Sequence, residues 1–269
     1  MMHLPSPAEI AHQDARRLAL VLREIGGDGA PVGSGWMACD IPGSWASYAA
    51  GLGLDGPVSP STLKAMIAFY REKARLPRVD VTPFQHPTLR TGLDGLGFRC
   101  SSEETVLARS LEQSPKTDSP AGLSFRRIDP RDNQDVASFV ASQKLGFYGD
   151  VCAPEGITPI TQRVARHPRC HLWLLEMDHH VVGSGGLEVF EDSGVLIAAC
   201  THPDVRRQGV QSAFIRFRVQ RSAELGLRYV SIASTPNGPT ERNARRAGFT
   251  PVYTQRTLEL SGRLSTEHT

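Results

Sequence analysis

The chain has 269 residues, 40% of them hydrophobic and 22% charged, which describes a globular protein and excludes a disordered or fibrous one. With 30 Lys and Arg against 28 Asp and Glu, the formal net charge of +2 is too small to argue for a nucleic-acid or membrane partner. No apolar run is long enough to cross a bilayer, and the opening MMHLPSPAEIAHQDARR has no apolar signal-peptide core, so a cytoplasmic protein is expected.

Early in the chain, GLGLDG at residues 51–56 satisfies the spacing of a dinucleotide-binding glycine motif. That motif needs its helix to begin within the glycines, and here Pro57 and Pro60 delay any helix to about Ser59. The stretch is read as a glycine-rich turn. In the helix that follows, Leu63, Met66, Ile67 and Tyr70 fall at i, i+3, i+4 and i+7, the spacing of a core-facing stripe. The polar stretch QSPKTDSPAG, 113–122, carries two prolines and is the linker candidate. We expect two domains, 1–115 and 122–269, with the linker at 116–121.

Beyond the linker the elements alternate. LSFRRID (123–129) reads as a strand and NQDVASFVASQKLGF as a helix. HLWLLEM (171–177) and HVVGSGGLEVF (180–190) read as strands joined by a turn. GVLIAACT (194–201) is a near-continuous apolar strand, as expected where both faces are buried. A helix starting near Gly209 or Gln211 runs to about Glu224, where Gly226 suits its stop. YVSIAS (229–234), the short helix PTERNARRAG and the strand FTPVYTQRTLEL complete the order. The fold class that follows is mixed α/β (α+β), with helices flanking a mixed sheet. The five cysteines are odd in number and contain no CxxC, and Pro168 spoils a helical pairing of His167 with His171, so neither a disulfide framework nor a metal site is expected.

The chain also matches itself at an offset of 151 positions. Gly97-Phe98 falls on Gly248-Phe249, Val79-Asp80-Val81 on Val230-Ser231-Ile232, and Ser61 on Ser212. The first segment is therefore read as a partial second copy of one unit.

The strand ending at Thr201 leads into Arg206-Arg207-Gln208-Gly209-Val210-Gln211. A helix start exposes N–H groups without helical partners and carries partial positive charge, so it binds phosphate readily. Gly209 lets backbone approach a ligand, and the arginines can bond to phosphate oxygens. Two readings stand: a pyrophosphate cradle, or a solvated basic helix start in which Gly209 serves the turn. In the first copy the same places hold Asp55, Gly56, Pro57, Val58 and Pro60, which offer an acid and two residues without N–H. If both copies share the fold, only the second can hold the anion.

These residues resemble the GNAT superfamily of acyl-CoA-dependent N-acyltransferases, whose phosphate loop runs Arg/Gln-x-x-Gly-x-Gly/Ala. Gln211 departs from the small final residue; HPDVRRQGVQSA and the tail RNARRAGF followed by PVYT resemble a two-domain branch with a degenerate N-terminal half. The resemblance covers about residues 122–260. It implies a mostly antiparallel central sheet and a tandem of two such units. It also implies acetyl-CoA as cofactor, its pyrophosphate held by Arg206, Arg207, Gln208, Gly209, Val210, Gln211 and Ser212. A strand that splays from its neighbour would pair with pantetheine at Cys200 and Thr201. Asn243 is either a ligand of the cofactor's arm or a plain surface residue.

The implied reaction is direct attack of a primary amine on the thioester, aided by positioning, an oxyanion-binding N–H, a base and an acid. Family members often carry a tyrosine four residues before the final Gly-Phe; here that place is Ala244. Tyr253 is the nearest substitute acid, with a core aromatic as its other reading. Glu188 and Glu191 are the candidate bases, with plain acidic residues as theirs. Cys200 reads as a buried small residue rather than a nucleophile. The acceptor is a small-molecule or peptide amine, and the chain a monomer or homodimer. A non-catalytic acyl-CoA sensor is the alternative.

Overall fold

The computed structural model describes residues 3–111, 120–149 and 151–261. Residues 113–119 of the expected linker stretch lie outside them. The chain forms two compact units. The first comprises Pro5–Glu104 and Tyr253–Thr269, the second Met1–Leu4 and Thr105–Val252. The division falls inside two strands, between Glu104 and Thr105 and between Val252 and Tyr253.

In chain order the first unit contains α1 (Pro7–Ile25), β1 (Asp28–Val32), β2 (Gly35–Cys39), β3 (Ala49–Ala50), α2 (Pro60–Glu72), β4 (Arg78–Val81), α3 (Pro87–Gly95) and the start of β5 (Phe98–Ser110). Ser6 and Glu9 form a reciprocal capping box that starts α1. The strand order in this unit is β1-β2-β3-β4, followed by β11 (Thr250–Leu260). Its core includes the stripe read from the sequence: Leu63, Met66, Ile67 and Tyr70 are buried together with Leu89, Leu93 and Phe98.

The second unit contains β6 (Leu123–Arg127), α4 (Asn133–Tyr148), α5 (Ile157–Arg166), β7 (Cys170–Met177), β8 (His180–Phe190) and β9 (Ser193–Thr201). After a single 3-10 turn, Pro203–Val205, come α6 (Val210–Glu224), β10 (Tyr229–Ser234) and α7 (Pro239–Arg246). Residues 105–110 of β5 pair antiparallel with β10, and the order continues β9-β8-β7-β6. Val210, Phe214 and Ile215 of α6 are buried against Trp173, Leu187 and Val230. Phe125 stacks on Phe217 with ring centroids 4.3 Å apart. Each such side chain contributes roughly 1.5–3 kcal/mol by burial.

The repeat read from the sequence is present in the order of elements. Helix, strand, helix and strand begin at Pro60, Arg78, Pro87 and Phe98, and again at Val210, Tyr229, Pro239 and Thr250. Each set also holds a parallel pair at the matching place, β3 with β4 and β9 with β10. The other strand pairings described are antiparallel, so the fold is mixed α/β with mostly antiparallel pairing and flanking helices. Among the described residues no helix is long and apolar enough to cross a membrane.

Candidate active site

The site forms where β9 leaves its neighbour. The parallel pairing of β9 with β10 covers Ser193 to Val195 and goes no further, so Leu196–Thr201 run on without a recorded ladder to β10. On its other edge β9 pairs with β8, but the register shifts between Ser184 and Gly186. Gly185 there faces two residues, Ala198 and Ala199, and Ala198 adopts a positive φ of 51°. This is a β-bulge, one extra residue that bends the strand and raises its twist. The glycines of β8 are what allow it: a Cβ on Gly185 would stand 2.8 Å from the Ala199 Cα and 2.7 Å from the Phe214 ring.

Beyond Thr201 the chain turns through the 3-10 turn into the loop that starts α6. Arg207 and Gly209 both take left-handed backbone, with φ of 67° and 82°. Left-handed residues in such a loop turn successive N–H groups to one side, the arrangement of an anion-binding nest. Among the described residues no side chain caps α6, and its hydrogen bonding opens with Ala213 N donating to Gly209 O at 3.0 Å. The amides of Val210, Gln211 and Ser212 precede that bond and have no carbonyl within the helix to meet. A Cβ on Gly209 would find only Pro120 Cγ, 3.8 Å away, so the space before the helix is open.

That space is a cleft of 610 Å³, within the range of about 300–1,000 Å³ typical of ligand sites. Cys200, Thr201, Arg206, Arg207 and Gly209 line it, with Val210, Gln211, Ser212 and Asn243. Of the residues expected to hold the cofactor, only Gln208 is outside the lining; its side-chain amide donates to Asp204 O at 3.4 Å. Four arginines line the cleft, Arg206, Arg207, Arg242 and Arg246, and no Asp or Glu does among the described residues.

Several expected residues have duties other than those read from the sequence. Arg206 donates to Thr201 O at 3.3 Å and to Gly146 O at 3.1 Å, so it ties the loop to the end of α4 more than it reaches into the cleft. Gln211, which replaces the family's small residue, donates to Thr240 Oγ1 at 2.9 Å and accepts from Asn243 Nδ2. Asn243 Oδ1 accepts from Arg246. Asn243 is thus held by protein partners at both ends of its amide, joining α6 to α7. Cys200 is buried, with its Sγ 3.3 Å from Ser184 Oγ, and burial raises its pKa. A thiol kept protonated in this way suits packing and not nucleophilic attack.

Neither expected catalytic residue lines the cleft. Tyr253 belongs to the first unit, because β11 passes into that unit there. Its hydroxyl donates to Asp14 Oδ2 at 2.9 Å, and burial and the Asp14 charge push its pKa far up. The core aromatic reading is the one the geometry favours. Glu188 is 3% exposed on β8 and pairs with Arg169 at 3.4 Å. Ala244, at the place of the family's usual tyrosine, is fully buried in the core.

The sequence reading missed Arg242 and Arg246. Their signal was present in RNARR: two arginines four apart share one helix face. The third arginine of α7, Arg245, is 2.8 Å from Glu241, while Arg242 donates to Asn237 O and Arg246 to Asn243 Oδ1. Phe147, 58% exposed at the end of α4, also lines the cleft and was not anticipated.

Residues 136–249 match the model of the acetyltransferase (GNAT) family. Among solved structures, a GCN5-related N-acetyltransferase from Kribbella flavida is similar with a TM-score of 0.72 and 18% identity, covering 97% of each chain. Another, from Sphaerobacter thermophilus, has a TM-score of 0.60 and 16% identity over 80% of this chain and 72% of that one. A tandem GNAT protein from the clavulanic acid biosynthesis pathway gives 0.53 and 16%, over 75% of this chain and 70% of that one. No curated protein matches the chain. At these identities the structural likeness speaks for the fold, and the family model speaks for the segment that carries the cleft. Residues 136–249 are a domain of the GNAT acetyltransferase family.

Proposed function

We propose that the protein transfers an acetyl group from acetyl-CoA to a primary amine, by direct attack within a ternary complex. The observation that carries this reading is the head of α6, which among the described residues has no side-chain cap and opens on a cleft lined by four arginines and no acid. Coenzyme A brings a pyrophosphate, a separate 3′-phosphate and an acyl thioester at the end of a pantetheine arm. The amides of Val210, Gln211 and Ser212 would hold the pyrophosphate, with Arg207 adding a charge-assisted bond. Arg242 and Arg246 stand one turn apart on α7 and fit the remaining phosphate. The end of β9 from Ala199 to Thr201, which has parted from β10, would offer main-chain groups to the arm, as in a strand added to a sheet edge.

Holding amine and thioester side by side converts an encounter into an oriented step. A main-chain N–H of the bulged strand would stabilise charge as it develops on the thioester oxygen. No Asp, Glu, His or Tyr lines the cleft among the described residues, so the amine's proton would leave through water. The same feature favours the second reading, an acyl-CoA sensor without turnover.

A screen of primary amines with acetyl-CoA, following thiol release, separates the two. We expect release with at least one amine, at a rate that falls as pH drops and the amine is protonated. Tight acetyl-CoA binding without release from any amine would establish the sensor; absence of binding would remove both.

A further inference from the structure

Arg218, on α6, is 0% exposed and among the described residues is bonded to carbonyl oxygens and to no acidic side chain. Its guanidinium lies over the Phe214 ring, 4.1 Å from the centroid. Nη1 donates to Gly186 O at 2.9 Å and to Ile197 O at 3.4 Å, and Nε donates to Phe214 O at 3.3 Å. Nη2 is buried with no hydrogen-bond partner. Burial lowers the pKa to about 9, which leaves the group charged at neutral pH. A buried charge of this kind is costly unless something gains from it.

The beneficiaries are two strands at one place. Gly186 and Ile197 face each other immediately beside the bulge. The next carbonyl along β9, that of Ala198, accepts from Gln143 Nε2 of α4 at 2.7 Å. Gln143 is buried and also donates to Ser184 Oγ at 2.8 Å. Ser184 faces α4, while a Cβ on the adjacent Gly185 would strike Phe214 of α6, so the two helices lie on opposite faces of β8. Two consecutive carbonyls of the bulge are therefore taken by side chains arriving from opposite faces. The residue between them holds a left-handed φ that a non-glycine residue keeps only when its surroundings enforce it. The residues that follow, Ala199, Cys200 and Thr201, line the cleft.

We propose that Arg218 and Gln143 are positioning residues that clamp the β9 bulge and so set the main-chain groups of residues 199–201 that receive the acyl-pantetheine arm. Neither lines the cleft, and both act through the strand. The inference rests on the coenzyme A reading, and its test separates the arm from the phosphates. Calorimetry compares coenzyme A with adenosine 3′,5′-bisphosphate, which lacks the arm and the phosphate that joins it, for the wild type, Gln143→Glu, Arg218→Met and Arg218→Lys; each variant is read as its change from the wild type. Loss of one or two clamp bonds should weaken coenzyme A by about 10-fold in Gln143→Glu and Arg218→Met while leaving the bisphosphate within about 2-fold. Arg218→Lys, which keeps the charge and one donor, should recover part of the loss. Arg218→Met is the variant most exposed to misfolding; Gln143→Glu, the milder change, then carries the test. Equal weakening of both ligands, or unchanged coenzyme A affinity in a folded variant, overturns the clamp. A wild type that binds neither ligand overturns the coenzyme A reading itself, and the clamp with it.

Discussion

Helices α2 and α6 stand at matching places in the two units, each following the strand that makes the unit's parallel pair. At α2, Ser59 accepts from Thr62 N at 3.1 Å, Pro60 occupies the first helical position, and Val58 N is bonded to Thr88 Oγ1 at 2.8 Å. A side-chain cap and a proline without an N–H thus occupy the turn. At α6, Gly209 contributes no side chain, and among the described residues no side chain caps the first turn. One framework thus carries a closed helix head in the first unit and an open one in the second. A phosphate site here is made by leaving out the usual cap, which shifts the stabilising role from a side chain to a ligand.

Filling the open head is the harshest way to break this contrast. Gly209→Trp should reduce coenzyme A affinity by about 1,000-fold, because two or three charge-assisted bonds of about 1.5–3 kcal/mol are lost together. Calorimetry checks it, with circular dichroism to confirm folding. A second difference lies on the strands: Asp80 on β4 stands where the offset puts Ser231 on β10. Asp80 is buried, accepts from Gln255 Nε2 at 2.7 Å, and burial lifts its pKa from 3.8 to about 7. The folded chain then holds that proton more tightly than the unfolded one. The resulting stability is fully present below about pH 4 and is lost as pH rises through about 7. Asp80→Asn should therefore stabilise the chain at pH 8, by up to about 4 kcal/mol, and change it little at pH 4. Urea unfolding at the two pH values measures this.

Smaller effects sharpen the same contrast. The double substitution Arg242→Ala and Arg246→Ala should weaken coenzyme A by roughly 10–30-fold, about 2 kcal/mol, while leaving dephospho-coenzyme A almost unchanged. Equal losses for both ligands would remove the assignment of this pair to the 3′-phosphate. Ser59→Ala should destabilise the chain by about 1 kcal/mol, in thermal unfolding, without changing coenzyme A affinity.

Much of the second unit was legible in the chain. The strand 229–234 and the helix end at Glu224 are observed where they were expected. The helix start was placed at Gly209 or Gln211 and is found at Val210 with Gly209 as cap, because a bare glycine that can take positive φ is a local signal. The helix α5 was missed, although Ile157, Ile160, Thr161 and Val164 keep helical spacing; Pro159 in its first turn obscured the pattern. Helix α1 was missed as well, despite its Ser-x-x-Glu start. The cradle was readable because its chemistry is main-chain and contiguous. The rest of the site was not, because it depends on contacts between residues far apart in sequence. Nothing near Tyr253 in the chain says that it meets Asp14, 239 residues away. Nor does anything near Arg218 or Gln143 say that both reach one bulge.

The central claim is that the head of α6 is open to a diphosphate, and that its counterpart α2 is closed by its own side chains. Isothermal titration of the full chain with coenzyme A tests it most directly. We expect a single site per chain, saturable at one equivalent and lost in Gly209→Trp. Two equivalents, binding that survives Gly209→Trp, or no binding at all would contradict it.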